Sequence, residues 1–307
     1  MLVHGVAWDA SPAGGLPDGG SPALRLQSPS GERSAVPLTA GTGLGFRVLD
    51  GLWCLGHSKV HGPRDRTHVP CPEAAPAERG RQCGQCFARD DSRLMHDFHR
   101  GGSVPPGLRA YLMQPHWLYI ASFANGATKV GTASAPRKWQ RLAEQGAVHA
   151  SYVAHAEDGR AVRILEDLVT RELGTPQLVR SSAKAAGLLE PRAVVGLSCV
   201  HKAAAVRTRE LLDGLAMDGF STVEEEWQRP GFADEACDSY GRRHPYPQAF
   251  DGGTHGFTVR SLSGAIALAE LPGEECGFIA DLGALKGRRI EFGDYRTDVP
   301  ALQDSLF

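Results

Sequence analysis

A chain of 307 residues, 42% hydrophobic and 22% charged, carries enough apolar material for a sizeable core and is long enough for two small domains. A formal net charge of −2 excludes a globally basic, polyanion-coating protein, so any polyanion must meet a local patch. No apolar run is long enough to cross a bilayer, and MLVHGVAWDASPAGG lacks a basic stretch followed by an apolar core, so the expectation is a cytoplasmic protein without membrane contact.

In that setting the seven cysteines read as thiols or metal ligands rather than disulfides. Residues 1–50 are rich in Gly, Pro and Ser, and the short apolar pieces LRLQ and FRVLDGLW predict a few irregular strands. Residues 51–102 hold Cys54, Cys71, Cys83 and Cys86, with His57, His61 and His68 between them, and little periodicity. That pattern is expected where a metal replaces a hydrophobic core. Cys83-Gly84-Gln85-Cys86 is a knuckle whose two thiolates can grip one ion while the glycine lets the backbone turn. Cys54 and Cys71 would complete the set. The rival set pairs Cys54 with His57 and omits Cys71. Either is a closed, four-ligand site, which predicts structural rather than catalytic zinc. His96 and His99 lie three apart without partner ligands and read as surface histidines.

Residues 111–133 predict a β-hairpin: YLMQPHWLYIASF is β-rich, Asn125-Gly126 signals the turn, and TKVGTA begins the return. A helix follows over 136–145 with Trp139, Leu142 and Ala143 on one face, and then HASYVAHA as a strand. Residues 159–173 form a clear amphipathic helix, stopped by Gly174 and Pro176. HKAAAVRTRELLDGLA is a further helix, residues 220–253 read as loop, and 254–295 alternate short β pieces with glycine turns, predicting a small sheet or barrel. Cys199, Cys237 and Cys276 stand alone and read as small buried apolar residues. The expected fold is α+β: a zinc-binding, β-rich N-terminal region (1–110), a central α/β domain (111–190), and a helical segment with a small β-rich tail (191–307).

Trp117-Leu118-Tyr119, then Lys129-Val130-Gly131-Thr132, then Arg141 and a later helix with Glu166 together resemble the GIY-YIG nuclease superfamily over about residues 116–190. More narrowly, the knuckle, the KVG-T run, Arg141 and Gln145-Gly146-Ala147 resemble an uncharacterised bacterial family with a Cys-rich knuckle. The nuclease resemblance implies that Tyr119 stands beside an attacking water and that Arg141 holds phosphate oxygens. It further implies that Glu166 binds Mg²⁺ or Mn²⁺ to polarise the phosphate, on nucleic acid as substrate. Gly131 would admit a close backbone approach, with Thr132 and Arg137 as substrate contacts. Lys129 stands where the family has its second tyrosine, and a lysine there can stabilise an anionic transition state, act as a base, or only bind.

The residues by themselves offer plainer readings. Tyr119 and Trp117 share a strand face, as core aromatics do. Lys129 fits an edge strand, and Arg141 and Arg137 fit a solvated helix surface. Glu166 shares a helix face with Val162, Val169 and Leu173, which demands a metal, a base or an internal salt bridge. The function expected is metal-dependent phosphodiester hydrolysis on nucleic acid. The alternatives are a non-catalytic nucleic-acid-binding zinc protein and a small-molecule enzyme on the same scaffold.

Overall fold

The computed structural model describes residues 1–9, 20–96, 98 and 101–298, so His99 and the His96 side chain lie outside the described residues. Four strands open the chain: β1 (Leu2–Asp9), β2 (Ser21–Gln27), β3 (Arg33–Pro37) and β4 (Gly43–Leu49). In β4 the residues Leu44, Phe46 and Val48 turn inward, the period-2 pattern of a strand with one face on a core. The cysteine-rich segment contributes a hairpin, β5 (His57–Val60) with β6 (Arg66–Val69), and the short helix α1 (Gly84–Arg89) that begins at Cys83. Helix α2 (Pro106–Leu112) follows, with proline in its first turn pre-set for the helical φ. Tyr111 and Leu112, expected at the start of the hairpin, therefore close a helix instead.

The hairpin is β7 (His116–Ser122) with β8 (Thr128–Ser134), and Gly126 supplies the turn with φ +85°. Next come α3 (Lys138–Gln145), β9 (His149–Ala156) and α4 (Gly159–Leu173). The Asp158 carboxylate accepts the N–H groups of Arg160 and Ala161, and left-handed Gly174 closes α4, so its limits are those the sequence predicts. Helices α5 (Ser181–Leu189) and α6 (Val194–Asp213) lead to β10 (Phe220–Trp227), which corrects the expectation of loop there. Its strand signal is hidden by exposed Glu224, Glu225 and Glu226 and by a register shift between Thr222 and Glu225. The chain ends with α7 (Asp234–Cys237), β11 (Arg243–Pro245), β12 (Thr254–Ser263), β13 (Ile266–Glu270), β14 (Gly277–Asp281) and β15 (Arg289–Phe292).

Among the described residues these strands form the β5–β6 hairpin and two larger sheets. One is antiparallel in the order β10-β9-β7-β8. The other has nine strands, in the order β11-β14-β13-β12-β4-β15-β1-β2-β3. The C-terminal β pieces thus do not close a small sheet or barrel of their own. β12 and β15 both pair with β4, and the Met1 amine donates to the Ile290 carbonyl at 2.7 Å. Shared pairing satisfies edges that two separate sheets would leave open.

The four-stranded sheet is covered on both faces. Leu118, Ile120, Val130 and Val153 pack with Val162, Leu165 and Val169 of α4 and Ala205 and Leu212 of α6. On the other face Tyr119, Ala121, Ala150 and Tyr152 meet α3 and the nine-stranded sheet, including Trp8, Phe46 and Phe257. Each fully buried aliphatic or aromatic side chain stabilises by roughly 1.5–3 kcal/mol, so this double layer is the main source of stability. Cys237 is buried as expected, whereas Cys199 on α6 is exposed and Cys276 is half-buried. Among the described residues no helix is long and apolar enough to cross a membrane.

Candidate functional site

The four cysteines converge. The Sγ atoms of Cys54, Cys71, Cys83 and Cys86 all lie within 4.8 Å of one another, and among the described residues they are the one group with metal-ligating spacing. Cys71, and not His57, belongs to that group. The His57 Nδ1 atom is buried without a partner instead. Cys54, Cys83 and Cys86 are buried and Cys71 is half-buried. Burial pushes the Cys54 thiol up, and burial with the neighbouring thiols does the same to Cys86, whereas the Cys86 backbone N–H holds Cys83 below its usual value. Four thiols in one buried spot, with almost no aliphatic packing around them, fit a soft divalent ion. These residues could hold a metal such as zinc in a closed tetrahedral set, which fixes the module and leaves no position open for catalysis.

The second constellation sits on the hairpin. Tyr119 is 0% exposed, Lys129 6% and Glu166 3%, while Arg141 is exposed. Tyr119 pairs across the strands with Gly131, and a Cβ at Gly131 would collide with the tyrosine hydroxyl. Gly131 therefore leaves room for the phenol. The hydroxyl accepts a hydrogen bond from Gln145 Nε2 at 2.9 Å. Burial pushes Tyr119 upward, against the opposing pull of Arg141 and of the Gln145 bond. Left-handed Gly146 ends α3 where a Cβ would strike Ser263 and Gly264 of the large sheet. The Gln-Gly-Ala run thus positions Tyr119 and docks α3.

Lys129 Nζ donates to the Gln177 carbonyl at 3.2 Å and lies 5.7 Å from the centre of the Tyr119 ring. Burial, then Arg141 and Lys184, pull it from 10.5 down to about 8. Glu166 makes an ion pair with Arg163, one helical turn back on α4, so the internal salt bridge is realised. Burial still holds the Glu166 carboxyl above its usual value, with Arg163 and Lys129 pulling the other way. Tyr119, Lys129, Arg141 and Glu166 are within electrostatic reach of one another, but three of the four are closed off from solvent. Thr132 lies on the sheet face opposite Tyr119 and Lys129, because alternate residues of β8 point to opposite sides.

Solvent enters beside this cluster rather than through it. A cleft of about 250 Å³ opens between the cysteine module and the hairpin sheet. Arg66, Arg137, Arg141 and Arg163 line it, together with His116 and Thr132, and none of its lining residues is acidic. Two of the guanidiniums are committed, Arg137 to Glu144 and Arg163 to Glu166. Arg66 donates to the hydroxyls of Ser58 at 2.9 Å and Ser92 at 2.6 Å, neutral partners that aim the guanidinium without cancelling its charge. Arg141 is exposed and has no ion-pair partner among the described residues. The cleft is thus a small positive basin with hydroxyl donors nearby.

Sequence reasoning reached Arg137, Arg141 and Thr132 of this cleft but not Arg66, Arg163 or His116. Arg163 had a signal, its i,i+3 spacing to Glu166. Arg66 had none, since it comes from the cysteine module.

The class defined by these observations is a mixed α+β protein with a four-cysteine cluster beside a sheet bearing buried charges. A family model described as "Protein of unknown function (DUF2797)" matches residues 78–174, which run from just before the knuckle to the end of α4. No curated protein and no solved structure matches the chain.

Proposed function

We propose that the protein binds nucleic acid through its phosphodiester backbone in the arginine-lined cleft, on a scaffold held by structural zinc. The observation that carries this reading is the cleft itself: four arginines and no carboxylate among its lining residues. Planar guanidiniums match the two free oxygens of a phosphodiester, and among the described residues no carboxylate pairs with Arg66 or Arg141. The hairpin–helix–strand–helix order β7-β8-α3-β9-α4 supports a GIY-YIG-like domain as the platform.

The second reading is metal-dependent phosphodiester hydrolysis by Tyr119, Lys129, Arg141 and Glu166, favoured by their mutual proximity. Glu166 would hold Mg²⁺ or Mn²⁺ there, the source of Lewis-acid polarisation of the phosphate. It requires the closed cluster to open, with Glu166 leaving Arg163, so binding is the reading the geometry favours.

The test is fluorescence anisotropy with labelled single- and double-stranded DNA and RNA over rising salt. Affinity should fall steeply with salt, and Arg66→Ala or Arg141→Ala should weaken binding and flatten the log–log salt slope by about one each. No binding by folded, zinc-loaded protein at low salt would reject the proposal. Cleavage in Mn²⁺ that Glu166→Gln abolishes would replace it with the second reading.

A further inference from the structure

A second cavity, of about 270 Å³, lies between the β5–β6 hairpin and strand β1 of the nine-stranded sheet. His4 of β1, His57, His68, Arg81, Asp90 and Lys286 line it. His57 is only 5% exposed, yet its Nδ1 atom and the Nε2 atom of His68 are buried without hydrogen-bond partners. Each such orphan costs roughly 1–3 kcal/mol, and folded proteins seldom leave two beside one cavity without a ligand or water to satisfy them. His4 packs edge-on against His68 with ring centroids 5.0 Å apart, and its Nε2 is engaged with Gln27 Oε1 at 3.0 Å.

The charges around the cavity choose the sign of the ligand. Asp90, the one carboxylate lining the cavity, accepts from neutral donors, the Ser58 and Ser92 backbone N–H groups and the Gln82 amide, and keeps its charge, but Arg81 and Lys286 outweigh it. Arg81 donates to the Gly80 carbonyl, and neither Arg81 nor Lys286 has an ion-pair partner among the described residues. We propose that this cavity binds a small oxyanion of the phosphate class, with ring N–H groups of His57 and His68 as donors and Arg81 and Lys286 as counter-charges.

Burial, Arg33 and His4 pull His68 down to about 4, and burial likewise lowers His57 and His4. These shifts favour the neutral rings, and an anion selects the tautomers with hydrogen on the His57 Nδ1 and His68 Nε2 atoms. A divalent cation fits less well. The same cationic neighbours repel it, and among the described residues these rings do not form a metal-spaced group of three with any other ligand.

The measurement is calorimetry with histidine-ring ¹H–¹⁵N spectra on the full, zinc-loaded chain. The probes are inorganic phosphate, a nucleoside 5′-monophosphate, and oligonucleotides with and without a 5′-phosphate. Binding of inorganic phosphate with shifts of the His57 and His68 ring nitrogens is expected. His68→Phe and Lys286→Ala should each weaken it at least about tenfold. Lys286 lies outside the cysteine module, so its variant keeps the test valid if His68→Phe disturbs that module. Preference for the monophosphate or the 5′-phosphorylated oligonucleotide over free phosphate would place the anion on a nucleotide. Three results overturn the site: no binding at millimolar phosphate, binding unchanged in both variants, or ring shifts produced by a second equivalent of Zn²⁺ and not by phosphate.

Discussion

The cysteine module and the hairpin sheet adjoin each other and are held together by opposite means. Around Cys54, Cys83 and Cys86 the packed apolar neighbours are Cys71 and Ala75. Around β7, β8 and β9 there are two layers of Leu, Ile, Val and aromatic side chains. Around the thiols so thin a core offsets little chain entropy, and a metal held by the four cysteines could supply what packing does not. A segment with so thick a core can tolerate groups that cost energy, and the buried Lys129 and Glu166 are such groups. Perturbed side chains occur in both regions: buried Lys129 and Glu166 beside the sheet, and His57 and His68 in the module.

The largest effect should come from a metal held by the four thiols. Structural zinc in small peptides is worth roughly 10–16 kcal/mol in apparent terms. Cys83→Ser, or exposure to a strong chelator, should release the ion and abolish hydrogen-exchange protection in the β5–β6 hairpin and α1. The amides of Leu118, Ile120 and Val153 should stay protected. Equal loss in both regions would break the contrast drawn above.

Next is Lys129, whose depression from 10.5 to about 8 corresponds to about 3 kcal/mol before its lost bond to Gln177 is deducted. Between those values the unfolded chain binds the proton and the folded one does not, so stability rises with pH across that window. Lys129→Met should therefore stabilise most below pH 8, and its advantage should fade towards pH 10.5. Denaturant midpoints at several pH values read this directly, and a gain that is flat with pH would mean the lysine is not the titrating group.

Gly131→Ala should cost roughly 1–3 kcal/mol, since the new methyl meets the Tyr119 hydroxyl in a packed layer. Thermal melts measure it, and Tyr119→Phe in the same background should recover part of the loss. An unchanged melting temperature would mean that Tyr119 is not seated as described. Smallest in stability is Arg141→Ala, within about 0.5 kcal/mol because the side chain is exposed. Its effect should appear in oligonucleotide affinity, sharpening the division between residues that hold the fold and residues that face a ligand.

How much was legible follows the range of each signal. Helix α4 could be read to the residue, because Asp158, Gly174 and the apolar stripe act within one or two turns. The β7–β8 hairpin could be read because Asn125-Gly126 imposes its own turn. The chemistry of the cysteine site was in the sequence too, since knuckle spacing is local, although the choice between Cys71 and His57 was not. β10 was hidden by its glutamates, and the internal pairing of Glu166 with Arg163 stood as one of several ways to satisfy a carboxylate on an apolar stripe.

By itself, then, the sequence determined the thiol-rich module, the capped helix, the hairpin and the burial of an acid at Glu166, all set by interactions between residues close along the chain. Only the tertiary structure decided that both ends of the chain share one sheet, that Cys71 joins the four-thiol cluster, that Gly131 seats Tyr119, and that Arg66 meets Arg137, Arg141 and Arg163. Those outcomes depend on which distant surfaces bury each other. That choice is made by the summed packing of whole layers, which no local pattern encodes.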